Sequence, residues 1–144
     1  MEYFFNYFGF SKKDKHENYY YLSLLKDSDL ESGWSIHGLW PQNADNSYPT
    51  FCRKVTFDIK LLESIIDDLN TYWCSYMKKN EDFWKHEWEK HGSCMYNQCD
   101  EYYYFKRALL LYRKALERKL PEKFYDEKTN KCLIPVNLNF EFIL

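Results

Sequence analysis

The chain has 144 residues, a formal net charge of -2 from 20 Lys+Arg against 22 Asp+Glu, and 21% aromatic residues, but only four Gly and four Pro. That length holds one domain, and the scarcity of Gly and Pro excludes collagen-like, linker-rich and low-complexity chains. Near-balanced charge excludes a globally basic nucleic-acid binder, so any phosphate ligand needs cations gathered locally.

No apolar run approaches the ~20 residues that cross a bilayer, so no membrane partner is expected. The N-terminus, MEYFFNYFGF, carries an acid at Glu2 and no Lys or Arg before Lys12. A secretory signal has the opposite order, which predicts no signal peptide. The expected organisation is a single domain over 1–144, with 1–18 peripheral and SKKDKHEN (11–18) an exposed loop.

Tyr19–Leu25 is short, aromatic and apolar and reads as a strand. A polar turn (26–33) leads to a second strand, Ser35–Trp40, which Pro41 is expected to end, followed by the loop 42–49. From Asp58 the spacing of Ile59, Leu62, Ile65, Ile66, Leu69 and Trp73 is helical. A second helix runs from Asp82 to about His91 and stops at Gly92. Tyr102, Phe105, Leu109, Tyr112 and Leu116 mark a third, which ends before Pro121. Ile134, Val136, Leu138, Phe140 and Phe142 alternate, predicting one face of a C-terminal strand. The class is α+β: an antiparallel sheet flanked by helices. Five cysteines allow at most two bridges and leave one thiol over.

Three of the four histidines and four of the five tryptophans fall in two short clusters, Trp34–Pro41 (WSIHGLWP) and Phe83–Cys94 (FWKHEWEKHGSC). A glycine directly follows His37 and His91, removing bulk and permitting unusual backbone angles beside an imidazole. At about 100° per residue, with His86 at zero, Lys90 lies at about 40°, Glu87 at about 100° and His91 at about 140°. All four share a helix face. The competing reading is a solvated face in which Glu87 serves Lys90 and His91 as ion-pair partner. Zinc is disfavoured, because HExxH needs histidines four apart and HEWEKH sets them five apart. No metal and no cofactor is expected.

Two separated imidazoles, a lysine and a glutamate suit cleavage of RNA by its own 2'-hydroxyl. One imidazole removes the 2'-OH proton, the other protonates the departing 5'-oxygen, and a cation stabilises the charge gathered on phosphorus. Adjacent aromatics provide stacking surfaces for unpaired bases.

At these two segments the sequence resembles the ribonuclease T2 family of base-nonspecific endoribonucleases, whose signatures are matched by IHGLWP (36–41) and FWKHEWEKHGSC (83–94). Ser93 stands where Thr is usual. The resemblance implies that His37 and His91 are the catalytic histidines, with His91 as base and His37 as acid in transesterification. It further implies that Glu87 and Lys90 stabilise the phosphorane and that His86 holds the phosphate. Bases would meet Trp40, Gln42, Tyr48 and Phe83, with Gln42 where some members carry an acid that selects adenine.

It also pairs Cys52 with Cys94. Cys74 and Cys99 resemble positions that bond one N-terminal cysteine in different branches; that cysteine is absent here, and the expectation is a Cys74–Cys99 bridge with Cys132 left over. The implied partner is single-stranded RNA, with no obligate protein partner. The family habit is secretion or a vacuole, against the missing signal features. The alternative function is a catalytically weak or inactive RNA-binding protein that retains the fold.

Overall fold

The computed structural model describes residues 17–144. The N-terminal aromatics and most of the segment expected as an exposed loop lie outside the described residues. Strand β1 (Tyr19–Lys26) forms a hairpin with β2 (Trp34–Gln42). Both outlast their apolar cores because backbone pairing continues from Tyr19↔Gln42 to Lys26↔Trp34. The turn closes at Gly33, whose φ of 83° uses the left-handed region, and the Asp27 N–H donates to the Gly33 carbonyl at 2.8 Å. Pro41 does not end β2. It sits opposite Tyr20 in an edge strand, where a missing N–H can face away from the ladder.

The chain then crosses a loop to a 3₁₀ segment (Ile59–Ile65), capped by the Asp58 side chain on Lys60 N–H, which runs into α1 (Ile66–Tyr72). The single helix expected from Asp58 is therefore two kinds of helix end to end. Helix α2 (Asn80–Lys90) opens two residues before Asp82 and has His91 as its C-cap; a 3₁₀ turn, Gly92–Cys94, follows. Helix α3 (Glu101–Glu117) is capped by Asp100, which accepts from Tyr103 N–H at 2.8 Å. A short α4 (Pro121–Phe124) leads to β3 (Tyr125–Asp126) and β4 (Lys131–Val136).

The antiparallel sheet has the order β2-β1-β4-β3. On one face Tyr20, Leu22 and Leu24 of β1 and Cys132, Ile134 and Val136 of β4 are buried against the helices, in one contiguous apolar cluster with Trp73, Trp84, Tyr104 and Tyr112. The opposite face presents Tyr21, Leu25 and Leu133 to a cleft.

The C-terminal alternation is not one strand. Strand β4 stops at Val136, and Asn137 Oδ1 accepts the N–H groups of Asn139 (2.9 Å) and Glu141 (3.0 Å). Phe140 takes a positive φ of 61°, and Phe142 returns to bridge Val136. The apolar residues still alternate because both limbs of this reversal pack on the same core.

Cys52 and Cys94 form a disulfide. The Cys74–Cys99 bridge is not formed, and both are free thiols, as is Cys132. Cys74 follows α1 and lines the cleft. Cys99 lies elsewhere, at the entry to α3, where its carbonyl accepts from Arg53 Nη2 at 3.2 Å. Burial pushes the Cys99 thiol up to about 11 and that of Cys132 up to about 12, keeping both protonated and unreactive. Denaturation without reductant followed by alkylation and mass spectrometry should label Cys74, Cys99 and Cys132 and spare Cys52 and Cys94. Because that bridge spans 42 residues, its reduction should lower stability by roughly 2–4 kcal/mol in urea titrations.

Candidate active site

Ser23 pairs with Gly38 and Leu24 with Ile36, so His37 is the extra residue of a β-bulge. The bulge resolves a problem of phase. Side chains alternate along a strand, so His37 and Trp40, three apart, would point to opposite faces of a regular one. With one residue inserted, Trp34, Ile36 and Leu39 all enter the core while His37 and Trp40 both line the cleft. Three carbonyls of this strand are taken by aromatic donors. Trp73 Nε1 donates to His37 O at 3.1 Å, the Tyr104 hydroxyl to Leu39 O at 2.9 Å, and the Tyr112 hydroxyl to Trp34 O at 2.7 Å.

Helix α2 supplies the other wall. Its inner face is fixed by tryptophans: Trp84 Nε1 donates to Trp73 O at 2.6 Å and Trp88 Nε1 to Thr56 O at 2.9 Å. His86, Glu87, Lys90 and His91 all line the cleft, as the helix arithmetic requires. The end of α2 is tied down by the Cys52–Cys94 bridge, by Phe51 N–H on Lys90 O (2.9 Å), and by Ser93 Oγ. That hydroxyl accepts from Cys52 N–H at 3.0 Å and donates to Glu89 O at 2.7 Å.

Trp40 lies between the two histidines. It meets His37 edge-on at 4.9 Å and stacks on His91 at 5.1 Å with 25° between planes. Its Nε1 donates to Glu87 Oε1 at 2.9 Å, and Phe83 lies 5.8 Å from His37. Neither Gly38 nor Gly92 has a positive φ, so their value is space, not unusual backbone angles. A Cβ on Gly38 would overlap Glu87 Oε1 and Trp40 Nε1; one on Gly92 would strike the Trp88 ring.

Burial sets the electrostatics. It pushes His91 down to about 3, assisted by Lys90 and His37, and the His91 Nδ1 is buried with no hydrogen-bond partner among the described residues. His37 is lowered by burial and then by Lys131 and Lys90, and its shift is smaller. His86 is lowered by burial and by Lys78. Glu87, 3% exposed, is pushed up to about 7 by burial, against the Trp40 hydrogen bond and Lys90.

The cleft measures about 840 Å³, within the usual range for ligand sites, and all nine site residues expected from sequence line it. Gln42 is buried at the end of β2 and Tyr48 stands exposed at the rim. Sequence reasoning missed the sheet floor (Tyr21, Leu25, Lys131, Leu133) and the segment 74–78. Neither carries a local motif, and both reach the site only through strand register and the α1–α2 connection. Among the described residues, no group of three His, Cys, Asp or Glu side chains is placed to hold a metal ion.

The sequence profile of the ribonuclease T2 family matches residues 10–124. This chain belongs to the ribonuclease T2 family. Among relatives, it is 42% identical over 92 residues to Ribonuclease DdI of Dictyostelium discoideum, an alignment covering 62% of this chain and 41% of that protein. It is 46% identical over 79 residues to the ribonuclease T2 protein rnst-2 of Caenorhabditis elegans, covering 50% of this chain and 28% of that one. The match thus covers less than half the length of each of these T2 relatives. Its fold is similar to that of ribonuclease MC1 from bitter gourd seeds, with a TM-score of 0.65, 21% identity and coverage of 88% of this chain and 92% of that one. RNase NT, solved with 5'-AMP, gives a TM-score of 0.63 at 19% identity, covering 88% of this chain and 89% of that one. The Ser93 that departs from the usual T2 signature keeps a hydroxyl on both of its partners, so the junction between α2 and the 51–52 segment is intact.

Glu87 binds its proton more tightly folded (about 7) than a free carboxyl does (4.5), so its stability contribution is full below pH 4.5 and lost as pH rises through 7. Glu87→Gln removes this dependence. The variant should gain on the wild type progressively from pH 4.5 to 7, by up to about 3 kcal/mol at pH 8, in denaturant titrations run across pH.

Proposed function

We propose that this protein is an endoribonuclease that cleaves single-stranded RNA by 2'-OH transesterification, through a 2',3'-cyclic phosphate and without a metal ion. The observation that carries this reading is the pair of imidazoles held on either side of Trp40, in one cleft with Lys90 and Glu87.

The two histidines are unequal, and that inequality supports the division of labour. His91, pushed down to about 3, is neutral from mildly acidic pH upward and accepts the 2'-OH proton. His37 is depressed less, by burial and then by Lys131 and Lys90, and is the imidazole that delivers a proton to the departing 5'-oxygen. The 2'-oxygen bonds to phosphorus as the 5'-oxygen leaves, giving a cyclic phosphate and a 5'-hydroxyl. Hydrolysis of the cycle reverses the roles: His37 takes a proton from water and His91 returns one to the 2'-oxygen. Lys90 opposes the negative charge that accumulates on the equatorial oxygens. With its pKa near 7, Glu87 is largely a neutral carboxyl in mild acid, able to donate to a non-bridging oxygen where a carboxylate would repel it. His86 adds a donor to the phosphate. Trp40, Tyr48 and Phe83 offer ring surfaces to the bases, and the Gln42 amide, both donor and acceptor, can meet more than one base edge. RNase NT, which shares the fold, was solved with 5'-AMP, which supports a substrate built of nucleotides.

Incubation of the protein with RNA in EDTA should yield fragments with 2',3'-cyclic phosphate ends, resolved by mass spectrometry. His37→Ala and His91→Ala should each lose about 10²–10⁴-fold in rate while keeping the far-UV spectrum of the wild type. Activity restored only by added zinc, or full activity in both variants, would reject the mechanism; binding of RNA without cleavage would favour an inactive binder.

For kcat/KM the acidic limb follows the base and the alkaline limb the acid. The profile should therefore rise from about pH 3 and fall below 6.5, the ordinary value of the imidazole that His37 undercuts. A profile still rising at pH 7 would contradict the assignment.

A further inference from the structure

Resting on the ribonuclease reading, we infer that Lys131, with the apolar sheet floor beside it, forms a subsite for the phosphate that follows the leaving nucleotide on its 3' side. The cleft does not end at His37. It continues across the exposed face of the sheet, where Tyr21, Leu25 and Leu133 form its floor and Lys131, at the start of β4, stands at the far side. Leu133 is registered with Ser23, between Tyr21 and Leu25 on the neighbouring strand, so the three apolar side chains are contiguous.

The direction follows from the chemistry. His37 protonates the 5'-oxygen, so the leaving nucleotide lies on the His37 side of the scissile phosphate, and the chain beyond it runs on toward Lys131. The Lys131 ammonium already acts on this region, since after burial it is the largest influence lowering His37. Among the described residues it is also uncommitted. Asp126 is its cross-strand neighbour, but the Asp126 carboxylate accepts from Lys128 N–H at 2.9 Å, and the ion pair found among the described residues is Arg113–Asp68. A ribose and base on an apolar floor, with a phosphate at an unpaired lysine, is an arrangement that recognises chain length and not base identity.

The test compares NpN with NpNp, which differ only by the 3'-terminal phosphate, and with pNpN, which carries the extra phosphate at the other end. At low ionic strength and pH 5, the wild type should prefer NpNp over NpN in kcat/KM by about three- to tenfold, with little preference for pNpN. Lys131→Ala should bring the NpNp/NpN ratio close to one, Lys131→Glu below one, and Lys131→Arg should preserve it. Because each variant is its own reference, a general loss of folding or of His37 function cancels from the ratio. Affinities for the uncleavable 2'-deoxy forms of NpN and NpNp provide the same ratio without catalysis, so the subsite is read even from a protein that does not cleave. An unchanged ratio in Lys131→Ala, or a ratio lost for pNpN instead of NpNp, would overturn the inference.

Discussion

The structure turns on one hydrogen bond, from the indole of Trp73 to the carbonyl of His37. A bulge leaves a residue out of the ladder, and its backbone groups need other partners. Trp73, fully buried at the end of α1, supplies one from the core side, and its own carbonyl receives the indole of Trp84. A single residue thus links, through its indole and its carbonyl, the strand that carries His37 to the helix that ends at His91. Everything the cleft does depends on the distance between those two elements, and that distance is set by aromatic rings with hydrogen-bonding edges.

Four further aromatic residues of the core work in the same way. Tyr104, Tyr112, Trp84 and Trp88 each combine large buried area with a donor that satisfies a carbonyl, a pairing no aliphatic side chain offers. Composition alone points to packing; the donor atoms show that much of the packing also organises backbone. Trp40 faces the cleft, yet it also spaces His37 from His91 and orients Glu87.

What could be read in the sequence was whatever is local. The face shared by His86, Glu87, Lys90 and His91 follows from helical period, and the strand cores from alternation. The bulge at His37 was implicit in the odd spacing of His37 and Trp40, but only for a strand already known to face both a core and a cleft. Lys131 and Leu133 escaped notice because their proximity to His37 is created by register between strands about a hundred residues apart. The C-terminal alternation misled because it records which residues meet the core, not which way the backbone runs. The Cys74–Cys99 pairing relied on two positions sharing a partner in different relatives, whereas here they lie in separate surroundings.

Strand β2 is an edge strand, and an edge normally offers unpaired carbonyls to any extended chain that arrives. Here Trp34, His37 and Leu39 have theirs covered by Tyr112, Trp73 and Tyr104. Three of the carbonyls around His37 are therefore already occupied and unavailable to an arriving strand. A neighbouring extended chain would have to displace the buried rings of Tyr112, Trp73 and Tyr104 to reach them, so the contacts that aim the imidazole also oppose strand addition at this edge.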